Sequence, residues 1–369
     1  MTIPRFIGSE IYRQSSYGGR HPLRVPRVST VMDLSRALGW LDRGNYLNSP
    51  RAKPAALLGF HSERYVAALQ QAERDQAVTE QVRLRHGLGT MDNPVFPEMF
   101  RRPATSAGGA LLAGEVLRDG GTVYLPGGGT HHGMPDRASG FCYINDAALA
   151  LLAFQRQGLR RLAYVDIDAH HPDGVEHAFA TDPSVLMVSL HEEGRWPRTG
   201  ALEDEGAGNL FNLPLPAGAG DAAFAAALDA VIGPRVEAHR PEALVIQCGA
   251  DAVAEDPQSR LSAGNRAHLA ILSALLPLAP RVLVLGGGGY NPWSVGRLWT
   301  AIWGTLRGEA MPERLPEAAR SVLAALRWPG HRLDGRPPAA WTGTLLDPPR
   351  PGTVAQETRA ALRRLAARP

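Results

Sequence analysis

Five continuous apolar runs constrain this chain more than any other feature: Thr122 to Leu125, Leu162 to Ile167, Val185 to Leu190, Ala243 to Cys248 and Arg281 to Leu285. They lack the in-and-out alternation of a half-exposed strand and read as strands buried on both faces. Helical patterns lie between them: Ala104 to Leu117, Asp146 to Gln155, Asp221 to Ala238, Ala267 to Leu276 and Ser294 to Leu306. Strand and helix alternating in this way predict an α/β protein, a parallel or mostly parallel sheet with helices on both faces. The first hundred residues are mostly helical in pattern, from Val31 to Leu41 and from His61 to Val78, and are expected to pack around the sheet. Residues 327–369 read as a Pro/Gly-rich tail with a last helix over Thr353 to Ala367, wrapping a domain of residues 1–326.

In an open α/β sheet, ligands collect beyond the carboxyl ends of the strands. Four of these ends carry chemistry: Gly127-Gly128-Gly129-Thr130-His131-His132, Asp168-Ala169-His170-His171-Pro172-Asp173, Gly249-Ala250-Asp251, and Gly286-Gly287-Gly288-Gly289-Tyr290. Asp168 and His170, two apart, point the same way if the strand conformation continues. Asp251 is the natural third ligand, and two carboxylates with one imidazole leave a fourth position open, the pattern of a catalytic zinc site. The same donors also suit Fe(II) or Mn(II). His131 and His132 lie close enough in sequence to share a loop, and Asp166 and Asp173 can each take an Nδ1–H from one of them, fixing tautomer and basicity. Two such dyads beside a metal make a hydrolytic proton relay. Tyr290 can polarise a substrate carbonyl. A phosphate cradle at the four glycines is disfavoured, because no Lys or Ser/Thr follows at P-loop spacing.

Composition narrows the class. Lys+Arg 39 against Asp+Glu 36 is nearly balanced and the cations are scattered, so no nucleic-acid partner is expected. No apolar stretch of membrane-spanning length and no secretory h-region are found, which predicts a cytoplasmic protein without a membrane partner. Cys142 and Cys248 are expected as reduced, buried thiols.

The motifs GGGTHHG, SGFCYIND, YVDIDAHHPDGVEHAF, VSLH, QCGAD and GGGGYN resemble those of the histone deacetylase superfamily, in order and spacing, across Tyr17 to Trp303. GLGTMDNPVFPEMF is most similar to the bacterial branch with acetoin-utilisation proteins and acetylpolyamine amidohydrolases. The resemblance implies a single-domain, three-layer arginase/deacetylase-like fold whose central sheet has about eight strands. It implies zinc at Asp168, His170 and Asp251, with Fe2+ as an alternative. It makes His132 the general base and acid, His131 its electrostatic partner, Asp166 and Asp173 the orienting carboxylates and Tyr290 the carbonyl-polarising group. The activity implied is removal of an acetyl or short acyl group from a lysine-like amine, with an acetylated polyamine as the alternative substrate and a non-catalytic acyl-ligand binder as the remote one.

The resemblance also places Gly140, Phe141 and Trp196 as channel walls, Asp92 as a hydrogen-bond partner for a peptide backbone, Gln258 at the rim and Arg27 in an inner cavity for released acetate. A structural potassium ion is implied at Asp166, Asp168, His170, Ser189 and Leu190, and a second at Phe179, Asp182 and Val185. Three positions depart from the family pattern: Pro172 for a common glycine, Trp196 for a frequent phenylalanine, and Gln258 where relatives carry an apolar residue or an acid.

Overall fold

The computed structural model describes residues 3–19 and 21–369, and its organising element is one eight-stranded sheet in which every pairing is parallel. The strands are β1 (Arg5–Gly8), β2 (Tyr46–Asn48), β3 (Gly121–Leu125), β4 (Leu162–Asp166), β5 (Val185–Glu192), β6 (Leu210–Leu215), β7 (Ala243–Gln247) and β8 (Arg281–Leu285), in the spatial order β2-β1-β3-β8-β7-β4-β5-β6. The five apolar runs form β3, β4, β5, β7 and β8.

Three strands escaped the pattern reading. β1 and β2 are short, and they show that the N-terminal region extends the sheet rather than only packing around it. β6 contains Pro214, which reads as a break; as an edge strand, β6 can leave one row of backbone groups unpaired, where a missing N–H costs little.

Helices cover both faces, with apolar clusters on either side of the sheet. The helix expected over Asp221 to Ala238 is instead an α segment, Asp221–Ala227, a π turn, Leu228–Ile232, and a second α segment, Gly233–His239. Pro234 cannot donate to the preceding turn, and the chain widens just before it. The helix Pro292–Arg307 buries Trp293, Trp299 and Trp303 completely. Each indole N–H is satisfied by a carbonyl, of Leu323, Cys248 and Trp40, all at 2.9 Å. Burying a large apolar side chain stabilises by roughly 1.5–3 kcal/mol, and the Trp299 bond also fixes the chain just before Gly249.

The tail packs on this body. Arg297 pairs with Asp347 at 2.8 Å with both side chains buried, Trp328 and Trp341 lie against Trp293, and the last helix is Gln356–Ala366. No helix among the described residues is long and apolar enough to cross a membrane.

Candidate active site

The four chemistry-bearing loops follow β3, β4, β7 and β8, and these are the four adjacent central strands, in the order β3-β8-β7-β4. Their last residues are in register: Leu125 opposite Leu285, Leu285 opposite Gln247, and Gln247 opposite Asp166. Parallel strands ending at one level deliver their loops side by side, so motifs far apart in sequence meet at one edge.

Asp168, His170 and Asp251 are buried, and a ligand atom from each lies within 4.8 Å of the others. His170 Nδ1 stands 2.9 Å from Asp251 Oδ2 and 3.2 Å from Asp168 Oδ1. A single proton on that nitrogen faces two buried carboxylates, one charge too few for a dry site. Burial opposes ionisation of both carboxylates, but their surroundings differ. Asp168 lies near His131 and accepts from the N–H groups of His170 (2.9 Å) and Gly288 (2.6 Å), which holds it below the usual carboxylate range. Asp251 accepts one backbone N–H, from Ala169, and burial with the Asp168 charge pushes it up. Two carboxylates, one imidazole and this deficit of positive charge fit a divalent cation.

Two histidine–carboxylate pairs flank this cluster. His131 Nδ1 lies 2.8 Å from Asp166 Oδ2, and His132 Nδ1 lies 2.6 Å from Asp173 Oδ1. The two rings are 4.0 Å apart and cannot both carry charge cheaply. By the side chains' own charges, burial opposes protonation of His131 but Asp166 and Asp168 outweigh it, raising the ring to about 9. Burial, and then repulsion from His131, lower His132 to about 4. The neutral ring of the pair is therefore His132. Tyr290 lines the same cavity, and burial beside Asp251 and Asp168 keeps its phenol protonated and able to donate.

Several residues that hold this geometry had no role in the sequence reading. Asn145 caps the helix Asp146–Arg156 through Ala148 N, and its amide donates to the carbonyls of His131 (3.3 Å) and Gly133 (3.0 Å). Asp146 accepts from Gly129 N and Thr130 N at 2.8 and 3.0 Å. Asp256 accepts from Tyr290 N at 2.7 Å and Asn291 N at 3.2 Å, so it fixes the loop that carries the phenol. Burial with the nearby Asp251 charge raises it to about 7. The SGFCYIND motif contains Asn145 and Asp146, and Asp256 lies two residues before Gln258, but nothing in spacing alone distinguishes a loop-pinning carboxylate from a surface one.

A channel of about 240 Å³ opens onto the cluster. Asp92, Gly140, Phe141, Trp196 and Gln258 all line it, together with His132, His170 and Tyr290, and with Arg195, which sequence reasoning missed. Trp196 is 41% exposed and crosses the His132 ring edge-on at 4.6 Å, which excludes simple core packing. Its indole lies so close to Gly140 that a Cβ there would overlap the ring, and Gly140 has φ +50°. Arg195 is held by a two-pronged ion pair to Glu192, 2.9 Å on each arm. Arg27 lines a second, inner cavity behind the cluster, donating to Gly287 O at 2.7 Å. Pro172 precedes the helix Asp173–Phe179 and displaces none of the named side chains. Both cysteines are buried and free.

The residues named for potassium divide. Asp166 and Ser189 are register partners on adjacent strands, and Ser189 Oγ lies 2.9 Å from His191 Nδ1. Among the described residues no backbone N–H donates to the carbonyls of Asp168 and His170, so the donor set suits an oxygen-ligated cation. At the second position the residues do not fit. Asn209 Nδ2 donates to the carbonyls of Phe179, Asp182 and Val185 at 2.9, 3.1 and 2.9 Å, with its Oδ1 anchored by Ala207 N. An amide stands where the ion would be.

The histone deacetylase domain family matches residues 21–306. The chain is 34% identical over 317 residues to the acetoin utilization protein AcuC of Bacillus subtilis, covering 82% of each, and 33% identical to the histone deacetylase clr6 of Schizosaccharomyces pombe, covering 81% of this chain and 76% of that one. Among solved structures, an HDAC homolog complexed with SAHA superposes with a TM-score of 0.94 at 34% identity, and an HDAC homolog from Aquifex aeolicus with 0.93 at 33%. Each alignment covers 99% of this chain and 100% of the other. With this site at the end of this sheet, the chain belongs to the histone deacetylase family, in its bacterial AcuC-like branch, and is a deacetylase that hydrolyses amide bonds.

Proposed function

We propose that the chain is a zinc-dependent deacetylase acting on N-acetylated lysine side chains. The carrying observation is the convergence of Asp168, His170 and Asp251 with His132 and Tyr290 at the foot of one channel. Asp168, His170 and Asp251 would hold the ion, which when bound acidifies water and polarises a carbonyl.

His132 is the general base. Asp173 holds its Nδ1–H, which leaves Nε2 free to take a proton from the attacking water and later deliver it to the leaving amine. His131, paired with Asp166, keeps its neighbour neutral and supplies positive charge beside the developing oxyanion. The Tyr290 phenol donates to the substrate carbonyl oxygen, a contact that strengthens as charge builds there. Gly140, Phe141 and Trp196 clamp the aliphatic stem, Asp92 takes the backbone N–H of a peptide, and Arg27 faces the released acid. Asp166, Asp168, His170, Ser189 and Leu190 would hold a potassium ion, and its charge would brace the loop after β4. Residues 1–326 form the catalytic body and 327–369 its wrapping tail, in a cytoplasmic setting where both thiols stay reduced.

The rim favours a lysyl substrate over a polyamine. Gln258 is neutral and Glu192 is committed to Arg195, so a distal ammonium finds no second acid beside Asp92. The test is chelation followed by stoichiometric zinc, with kcat/KM measured for an acetyl-lysine peptide and an N-acetylated diamine. Zinc-restored turnover with preference for the peptide is expected; preference for the diamine overturns the substrate, and metal-independent turnover overturns the mechanism.

A further inference from the structure

The mouth of the channel carries one cation that has no part in the mechanism. Arg195 follows β5 and lines the channel with Asp92, Trp196 and Gln258. Its side chain is only 26% exposed, so it belongs to the wall and is not a freely solvated surface arginine. Nε and Nη2 donate to Glu192 Oε2 and Oε1 at 2.9 Å each, and this side-on pairing fixes the plane of the guanidinium. Glu192 is itself buried and accepts from Arg260 N at 2.7 Å, so the brace is held in turn.

Nη1 is the one nitrogen of this guanidinium outside the brace. Among the described residues no acceptor stands within hydrogen-bond distance of it. An arginine with two arms tied and one free has already lost its rotamer freedom, so a ligand that meets the free arm does not have to order it. Asp92, at the same mouth, is built in a complementary way. His21 Nε2 lies 3.2 Å from its carbonyl oxygen and holds its backbone, while its carboxylate takes part in no hydrogen bond or ion pair among the described residues. One free carboxylate and one free guanidinium arm at a single opening match a group that carries an N–H and an anion on the same atom. Gln258 is neutral and biases neither.

The α-carbon of an acetyl-lysine residue carries such a pair, and it emerges where Phe141 and Trp196 release the aliphatic stem. We propose that Arg195 is a specificity-determining residue that takes a carboxylate at or next to the α-carbon of the substrate, while Asp92 takes the N–H. This rests on the acetyl-lysine reading above and narrows it. The carboxylate has two sources: the α-carboxylate of a terminal acetyl-lysine, or the side chain of an acidic residue that follows an internal one. A neutral amide in either place leaves the charge of the free arm unused.

The test uses the zinc-loaded enzyme and two substrate pairs: a short peptide ending in Nε-acetyl-lysine as the free acid or the amide, and an internal acetyl-lysine followed by Glu or by Gln. In the wild type, kcat/KM is expected to favour the carboxylate about fivefold in at least one pair, the scale of a partly exposed charge contact. Preference in the first pair assigns the carboxylate to the terminus, and in the second to the neighbouring side chain. In Arg195→Met that ratio should fall to about one. Because Arg195→Met also frees the Glu192 charge, which repels a carboxylate, Glu192→Gln/Arg195→Met removes both charges and serves as well if the single variant does not fold; its ratio should also be about one. The same ratios, read as affinities by calorimetry in a Tyr290→Phe background, do not depend on turnover. Ratios near one in the wild type for both pairs overturn the proposal, as does a preference that survives in the double variant. An affinity preference without turnover of any of the four peptides would overturn acetyl-lysine as the substrate and leave the role of Arg195 standing.

Discussion

The channel and the inner cavity share His132, Gly140, Phe141, His170 and Tyr290, yet they are built differently. Outward, the walls are long loops with exposed side chains: Trp196 is 41% exposed, and Arg195 and Glu192 neutralise each other. Inward, the walls are glycines after β3 and β8 and side chains from N-terminal helices, where Arg27 and Arg102 meet carbonyls and aromatic faces instead of carboxylates. An exposed rim tolerates change because water can replace a lost contact. A buried cavity does not, because a polar group that loses its partner there cannot turn to bulk water instead. The difference teaches where the two regions can vary: on the function proposed above, substrate choice would rest with the exposed rim, while the buried side is tied to the packing of the fold.

Tyr290→Phe tests the junction between the two regions and should have the largest effect. Losing one preorganised donor to a developing oxyanion typically costs about 10²–10³-fold in kcat, so deacetylation of a fluorogenic acetyl-lysine substrate should fall by that factor. Unchanged turnover would remove Tyr290 from the mechanism and leave the two cavities without a common centre.

Acid should expose the stability held on the buried side. His61 accepts from Asn145 N at 2.9 Å and lies 3.0 Å from Met134 O, behind the loop that carries His131. Burial lowers its ring from 6.5 to about 4. The unfolded chain therefore binds the proton first, and stability present above about pH 6.5 is lost as pH falls toward 4, by roughly 3 kcal/mol. Urea midpoints at pH 7 and pH 4.5 should differ more in wild type than in His61→Gln, whose stability should vary less between the two pH values. An identical acid loss in both chains would locate the sensitivity elsewhere.

Gln258→Glu probes the rim and should have the smallest effect. Adding a carboxylate near Asp92 should raise kcat/KM for an N-acetylated diamine about fivefold relative to the peptide, the scale of one partly exposed charge contact of about 1 kcal/mol. No change in the ratio would mean that the rim does not select by charge.

Much of the fold and the site was legible because buried parallel strands are written as apolar runs, and because ligand chemistry concentrates where such runs end. Asp168, His170, Asp251, His131, His132 and Tyr290 could be named from that rule alone. β1, β2 and β6 could not, since runs of three or four residues, or a run holding Pro214, become strands only when neighbours supply the hydrogen bonds. Asn145, Asp146 and Asp256 were silent for a similar reason: their role is to accept from or donate to backbone groups far away in sequence. Asn209 shows the opposite case, where three carbonyls named for an ion are satisfied by a side chain from another loop.

The sequence by itself determined the class of the fold and named the candidate metal ligands, the two histidines, the two carboxylates and the phenol, since residue type and position after an apolar run suffice for that; which carboxylate meets which histidine was decided by the structure. The tertiary structure decided that the four loops lie on four adjacent strands ending at one level, that Trp196 closes over Gly140 and that Arg102 joins Arg27 in one buried space. Strand order and helix packing arise from the burial of apolar surface over the whole chain, and no local stretch of sequence carries that information.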